Sequence, residues 1–246
     1  MLPRADPALV DTPAAMRRCT FCDTRAGVSC EPIADSGAGQ VGVPPARSAP
    51  LATVCVVEVR PACGHDLDAM VEVMFAEPSV EQRVFMPSIA GARRFSRVLW
   101  QRADLDDFVV ADDGGDVVGF AWFSERGVSM WAGFRAAVTG LGWMGPIRLA
   151  ARGWPRQLVE ISMPDGIKLI ELQVHPSRRG NGIGSALLAY VIAEAGHRPI
   201  SLTTRSDNPA RRLYERHGFA VTAERAHPTF ERRTGTPGRV LMVRAA

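Results

Sequence analysis

No stretch of this 246-residue chain approaches ~18 uninterrupted apolar residues, so no membrane span is expected. The N-terminus carries basic residues with no apolar stretch behind them. That pattern lacks a secretory leader and leaves a cytoplasmic protein as the expectation. Charge is nearly balanced: 29 Lys and Arg against 26 Asp and Glu give +3, too little to imply nucleic-acid binding by itself. Cysteine is scarce, and Cys19, Cys22 and Cys30 crowd the start of the chain. A structural zinc site wants four ligands, and no His or fourth Cys lies near these three, so no metal is expected. Residues 1–50, rich in Pro, Ala, Gly and Ser, lack apolar periodicity. They read as a disordered tail, because too little apolar surface is available to offset chain entropy. Residues 51–246 are left for one domain, and a hydrophobic content of 46% is ordinary for a globular protein.

The most informative stretch runs from Ile170 to Leu188. Leu169–Val174 is a short, mostly apolar run ended by Pro176, which suits a central strand. Ser185 onward is apolar nearly all round, as in a helix buried against a sheet, with Gly196 where a C-cap is wanted. Between them, Arg179-Gly180-Asn181-Gly182-Ile183-Gly184 sets three glycines at alternate positions where the helix begins. Glycine permits positive φ and close backbone approach, and a helix N-terminus with free N–H groups is an anion site. Arg178 and Arg179 add charge beside it. The stretch reads as a cradle for phosphate or pyrophosphate, or else as a tight strand-to-helix turn with surface arginines. No Lys-Ser/Thr follows the last glycine, which excludes a Walker A loop, and the spacing misses the dinucleotide fingerprint.

Arg179-x-x-Gly182-x-Gly184 behind a strand ending Val-x-Pro resembles motif A of the GNAT superfamily of acetyl-CoA-dependent N-acetyltransferases. Ser201–Phe219, with Asn208-Pro209, Tyr214 and Gly218-Phe219, resembles its motif B. The resemblance implies an α/β (α+β) GNAT fold: a mixed central sheet with helices on both faces, in a single domain over 51–246. It implies acetyl-CoA as co-substrate, held by Leu172, Gln173, Val174, Arg179, Gly180, Asn181, Gly182, Ile183, Gly184, Ser185 and Asn208. The backbone N–H of Val174 would meet the thioester carbonyl and the amides from Arg179 to Ser185 the pyrophosphate. Tyr214 resembles the residue that protonates the departing thiolate, and Glu171 stands where members often place a general base. Direct transfer to a primary amine, with no covalent enzyme intermediate, is the implied reaction.

The same residues have plainer readings. Asn208 before Pro209 is a good helix cap by its own logic, and a helical tyrosine such as Tyr214 is usually half-buried packing. Glu171 is an acid in an otherwise uncharged strand, either paired there or facing a cleft; His175, just past the strand, is a second candidate base. His217 suits the C-terminus of its helix.

Elsewhere, Thr53–Val59 reads as an edge strand. Asp66–Ala76 reads as a helix, Ser79-x-x-Gln82 as a capping box for a short helix ended by Pro87, and Ile89 to about Arg102 as another helix. Met74, Phe75, Phe85 and Met86 suit a core better than a ligand site. Asp107–Phe123 has two apolar runs around Asp-Asp-Gly-Gly, a hairpin signature. Residues 124–166 form a long, apolar, arginine-containing insert. It is either one or two helices on the sheet, a lid over the acceptor amine, or a basic amphipathic element for a membrane surface or a partner. A small-molecule amine is the expected acceptor and a homodimer is possible. The alternatives are a protein or peptide acceptor and a non-catalytic CoA-binding sensor.

Overall fold

The computed structural model describes residues 57–246. Seven strands form one mixed sheet: β1 (Glu58–Pro61), β2 (Phe108–Asp113), β3 (Asp116–Ser124), β4 (Ile167–Val174), β5 (Ile200–Arg205), β6 (Ala220–Ala226) and β7 (Gly238–Arg244). Their order across the sheet is β1-β2-β3-β4-β5-β7-β6. Neighbours are antiparallel except β4 and β5, which run parallel. The helices are α1 (Leu67–Ala76), α2 (Val80–Phe85), α3 (Ile89–Trp100), α4 (Met130–Leu141), α5 (Gly145–Gln157), α6 (Ile183–Ala195), α7 (Arg211–Arg216) and α8 (Pro228–Thr234). The part of the expected first strand at 53–56, the cysteines at 19, 22 and 30, and the tail lie outside the described residues.

Helices cover both faces, so the central strands read as continuous apolar runs. Leu187, Leu188 and Val191 of α6 pack on one face over Val109, Ala111, Ala121 and Leu169. Met70 and Phe75 of α1 with Leu99 and Trp100 of α3 cover the other, over Val110, Phe120 and Trp122. Gly119 lets α6 lie close: a Cβ there would stand 3.0 Å from the Gln173 carbonyl and 3.2 Å from Leu187.

Local chemistry sets several boundaries. Ser79 Oγ accepts from the Gln82 N–H at 3.2 Å and Gln82 Oε1 accepts from the Ser79 N–H at 2.7 Å, the full capping box. Gly114 and Gly115 take φ of 67° and 105° at the β2–β3 turn. Buried Arg60 ties β1 to the start of α1 and to β2 through Asp66 (2.8 Å) and Asp112 (2.9 Å). Burial opposes the Asp66 charge, but Arg60 and the Cys63 N–H hold its carboxyl below the usual range.

The insert is a helical pair, α4 and α5. Gly140 belongs there for packing: a Cβ on it would sit 2.7 Å from the Phe95 backbone, so glycine lets α4 press onto α3. Phe75 and Phe85 are core, as expected, while Met86 is only half-buried.

Candidate active site

The sheet opens at its parallel pair. β4 and β5 share a ladder only at Ile167↔Ile200 and Lys168↔Ser201, and β4 runs on to Val174 without β5. On its other side β4 keeps its pairing with β3, and the His175 N–H donates to the Val118 carbonyl at 2.8 Å. Antiparallel alternation therefore turns the N–H groups of Leu172 and Val174 away from β3, into the opening. The Val174 carbonyl, on that same side, accepts from Arg179 Nε at 3.2 Å.

A bulge decides which side chains face which way. Trp122 pairs with Glu171 and Phe123 with Leu169, so Ile170 is an extra residue in β4. Strict alternation from Leu169 would put Glu171 in the α6 core. Instead Leu169, Leu172 and Val174 share the α6 side, and Ile170 packs with the α1–α3 layer. Glu171 and Gln173 share the face opposite Leu172, and Gln173 Nε2 donates to Glu171 Oε1 at 2.6 Å.

Beyond β4, Gly180 and Gly182 take φ of 83° and 79°, with open space where a Cβ would be. Gly184 is needed for another reason: its Cβ would stand 3.3 Å from Leu213. The amides of Gly180, Asn181, Gly182, Ile183 and Gly184 donate to no carbonyl among the described residues. They form a concavity of free N–H groups at the positive end of α6. Ser185 departs from the expectation: its N–H donates to Gly182 O at 2.9 Å, because α6 begins two residues earlier than expected. Ser185 Oγ instead meets His217 Nε2 at 2.5 Å, joining the α6 start to the α7 end. Arg178 and Arg179 are not free charges either, being paired with Asp113 and Glu77.

Asn208 is engaged at both ends of its amide. Nδ2 donates to Thr204 Oγ1 at 2.6 Å, and Oδ1 accepts from the Ala210 N–H at 3.0 Å, capping the turn that leads into α7. Tyr214 is buried, 5.9 Å from Phe219 ring to ring, and its hydroxyl has no hydrogen-bond partner among the described residues. Burial first, and then the Glu171 charge, push its pKa far above the usual tyrosine value. Glu171 is half-buried, and burial raises its pKa most. The Gln173 hydrogen bond works the other way, the Glu81 charge adds to the rise, and Arg156 and Arg239 oppose it.

That charge network was not visible in the sequence. Arg239 Nη1 donates to Glu81 Oε1 at 2.5 Å and Arg156 Nε lies 3.3 Å from Glu81 Oε2, three residues from α2, α5 and β7. Glu81 and Arg156 also line an apolar cavity of about 710 Å³ between α2, α3, α4 and α5, walled by Phe85, Phe95, Phe134 and Leu149. Glu171 itself is not in the wall. His175 is at the outer end of β4, with Nδ1 2.8 Å from Ser177 Oγ, and does not join this group. Among the described residues no cluster of His, Cys, Asp and Glu could hold a metal.

A mixed sheet opened between two parallel strands, with a glycine-built amide cradle at the opening, defines an acetyltransferase-type fold. The chain belongs to the acetyltransferase (GNAT) family, whose model matches residues 81–219. Solved structures agree on the fold. One is a histone acetyltransferase HPA2 and related acetyltransferase from Corynebacterium glutamicum: 24% identity, TM-score 0.54, 77% of this chain and 96% of that one. An N-acetyltransferase from Staphylococcus aureus Mu50 matches at 16% identity and TM-score 0.53, over 76% and 99%. A GCN5-related N-acetyltransferase from Kribbella flavida matches at 20% and 0.51, over 77% and 98%. No curated protein sequence matches the chain.

Proposed function

We propose that the protein transfers an acetyl group from acetyl-CoA directly to the amine of a small molecule. The observation that carries this reading is the opening between β4 and β5, with the free amides of its glycine cradle beside it and Glu171 near enough for its charge to act on buried Tyr214. There the Glu171 charge adds to the burial that keeps the Tyr214 phenol protonated, beside a strand that turns the Val174 N–H inward. Acetyl-CoA bound there would supply the activated acyl group.

The residues present fit that co-substrate. Five unpaired amides from Gly180 to Gly184 suit a pyrophosphate, and the inward N–H of Val174 suits the negative charge developing on an acyl oxygen. Glu171, with its raised pKa, takes the proton from the amine, directly or through water. Tyr214 stays protonated to high pH and hands its proton to the departing sulfur. Asn208 shapes the turn before α7 and so fixes where Tyr214 stands.

The acceptor is assigned to the cavity under α4 and α5. Its apolar walls suit the body of a small amine, and Glu81 in its wall is near enough to Glu171 for the two charges to act on each other. A concave apolar site of this size suits a small acceptor.

The test is turnover. Purified protein with acetyl-CoA is offered small amines, lysine peptides and N-terminal peptides, and thiol release is followed. Turnover on small amines, lost in Glu171→Gln, supports the reading. Turnover confined to peptides reassigns the acceptor, and CoA binding without turnover on any amine would indicate a sensor.

A further inference from the structure

Nine large apolar side chains are exposed among the described residues, and eight of them lie between Val128 and Trp154. Met130, Trp131, Trp143 and Ile147 are 84, 74, 82 and 60% exposed. The pattern follows helix geometry. Trp131, Phe134 and Val138 recur at i, i+3 and i+7 on α4, and Ile147 and Trp154 at i and i+7 on α5. Each helix thus turns one side to its neighbours in the fold and sets large apolar side chains among arginines on the side that faces water. Three of the chain's five tryptophans stand on this hairpin, while Trp100 and Trp122 are buried in the core.

Along the hairpin itself the charge has one sign, while the acids Glu81 and Glu160 stand in the cavity wall. From Arg126 to Val159 there are five arginines and no Asp or Glu. Arg135 and Arg148 are exposed and have no ion-pair or hydrogen-bond partner among the described residues. A second copy of the same face would set the unpaired Arg135 and Arg148 against their own kind, which disfavours self-association here. The complement must be anionic and must also accept apolar side chains without offering a fixed pocket for each. An anionic lipid interface has both properties. Indole rings sit at headgroup level, Met and Ile side chains reach the acyl boundary, and guanidinium groups meet phosphates. No helix among the described residues is long and apolar enough to cross a membrane, so the contact is a surface one.

We propose that the α4–α5 hairpin docks the protein on an anionic membrane surface, independently of the acetyl-transfer reading. Met130 and Phe134 belong both to this face and to the cavity wall, so the docked face adjoins the cavity.

The test mixes the full chain with phosphatidylcholine vesicles made with and without phosphatidylglycerol. Sedimentation with the anionic vesicles alone, weakened by added salt, is expected, together with a blue shift of tryptophan emission. The pairs Arg135→Glu with Arg148→Glu, and Trp131→Ser with Trp143→Ser, should each lower partitioning by about tenfold or more while the melting temperature stays unchanged. The proposal is overturned by failure to bind anionic vesicles at low salt, by equal binding to uncharged ones, or by tryptophan variants that bind like the wild type. A concentration-dependent dimer that is lost in Trp131→Ser, with no vesicle binding, would assign the face to a second copy and overturn it equally. Capture of an acidic protein without vesicle binding would do the same.

Discussion

Gln173 donates its amide to Glu171 from two residues along the same face of β4, at 2.6 Å. The bond stabilises the charged form of a carboxyl that burial pushes toward the neutral one, so in the proposed reaction Gln173 lowers the pH at which Glu171 can act as the base. With Glu171 as the proposed base, activity should rise with pH as that carboxyl loses its proton. Gln173→Leu removes a bond to the charged form and raises the pKa further. The rising limb of kcat/KM should move to higher pH, with a larger loss at acidic than at alkaline pH. A pH profile of both proteins checks this; an unmoved limb would separate Gln173 from the titration.

Glu171→Gln should cut kcat about a hundredfold or more while leaving acetyl-CoA affinity nearly unchanged. The sign for stability is opposite to that for activity. A carboxyl whose folded pKa is raised binds its proton more tightly in the native state, so it costs stability as pH rises through the window between unfolded and folded values. Removing the charge should leave the variant at least as heat-stable as the wild type at neutral pH. Calorimetry and stopped-assay kinetics on one preparation test both halves.

Tyr214→Phe takes away a hydroxyl that has no hydrogen-bond partner among the described residues, so packing against Phe219 and the α6 core survives. Melting should hardly change while kcat drops tenfold or more, since the departing sulfur loses its proton source. With a less basic thiol as leaving group, the variant's deficit should shrink. A variant melting far below the wild type would make Tyr214 a packing residue.

What was legible in the sequence was local. The Ser79–Gln82 capping box, the Asp-Asp-Gly-Gly hairpin and the glycine turn are each decided within a few residues, and each formed as expected. The face of Glu171 was not decided locally. It depends on an extra residue at Ile170, and that bulge is visible only once β3 supplies the register. The Glu81–Arg239 pair joins positions 158 apart, a separation across which no periodicity carries information. The amide of Ser185 is taken up by the Gly182 carbonyl because α6 begins at Ile183, a start that the glycine-rich sequence did not fix. The insert was readable as apolar and basic, but only the fold separates the side chains that wall the cavity from those facing water.

Asp66→Asn tests the anchor of β1. The substitution leaves Arg60 buried with one carboxylate in place of two, and breaking a buried pair costs about 3–5 kcal/mol. Because the folded pKa of Asp66 lies below its unfolded value, the stabilisation is fully present above the unfolded value of about 3.9 and is lost as pH falls through the folded one. The gap in urea midpoint between wild type and variant should therefore be wide at neutral pH and close on acidification. A gap independent of pH would mean that shape, rather than charge, is what Asp66 contributes.

Gly182→Ala addresses the cradle without touching its neighbours, because nothing lies within 4 Å of the added methyl. The cost is conformational: at φ of 79° a side chain other than glycine adds about 1–2 kcal/mol of strain. That strain is relieved by rotating the peptide, which turns the amides of Gly182 and Ile183 away from the concavity they share with Gly180. Acetyl-CoA and free CoA should therefore weaken together, by about tenfold, whereas the pH limb governed by Glu171 keeps its position. Titration calorimetry with CoA reads the first effect and the pH profile the second. A variant that keeps CoA affinity while losing stability would confine Gly182 to the turn and leave the pyrophosphate to the amides of Ile183 and Gly184.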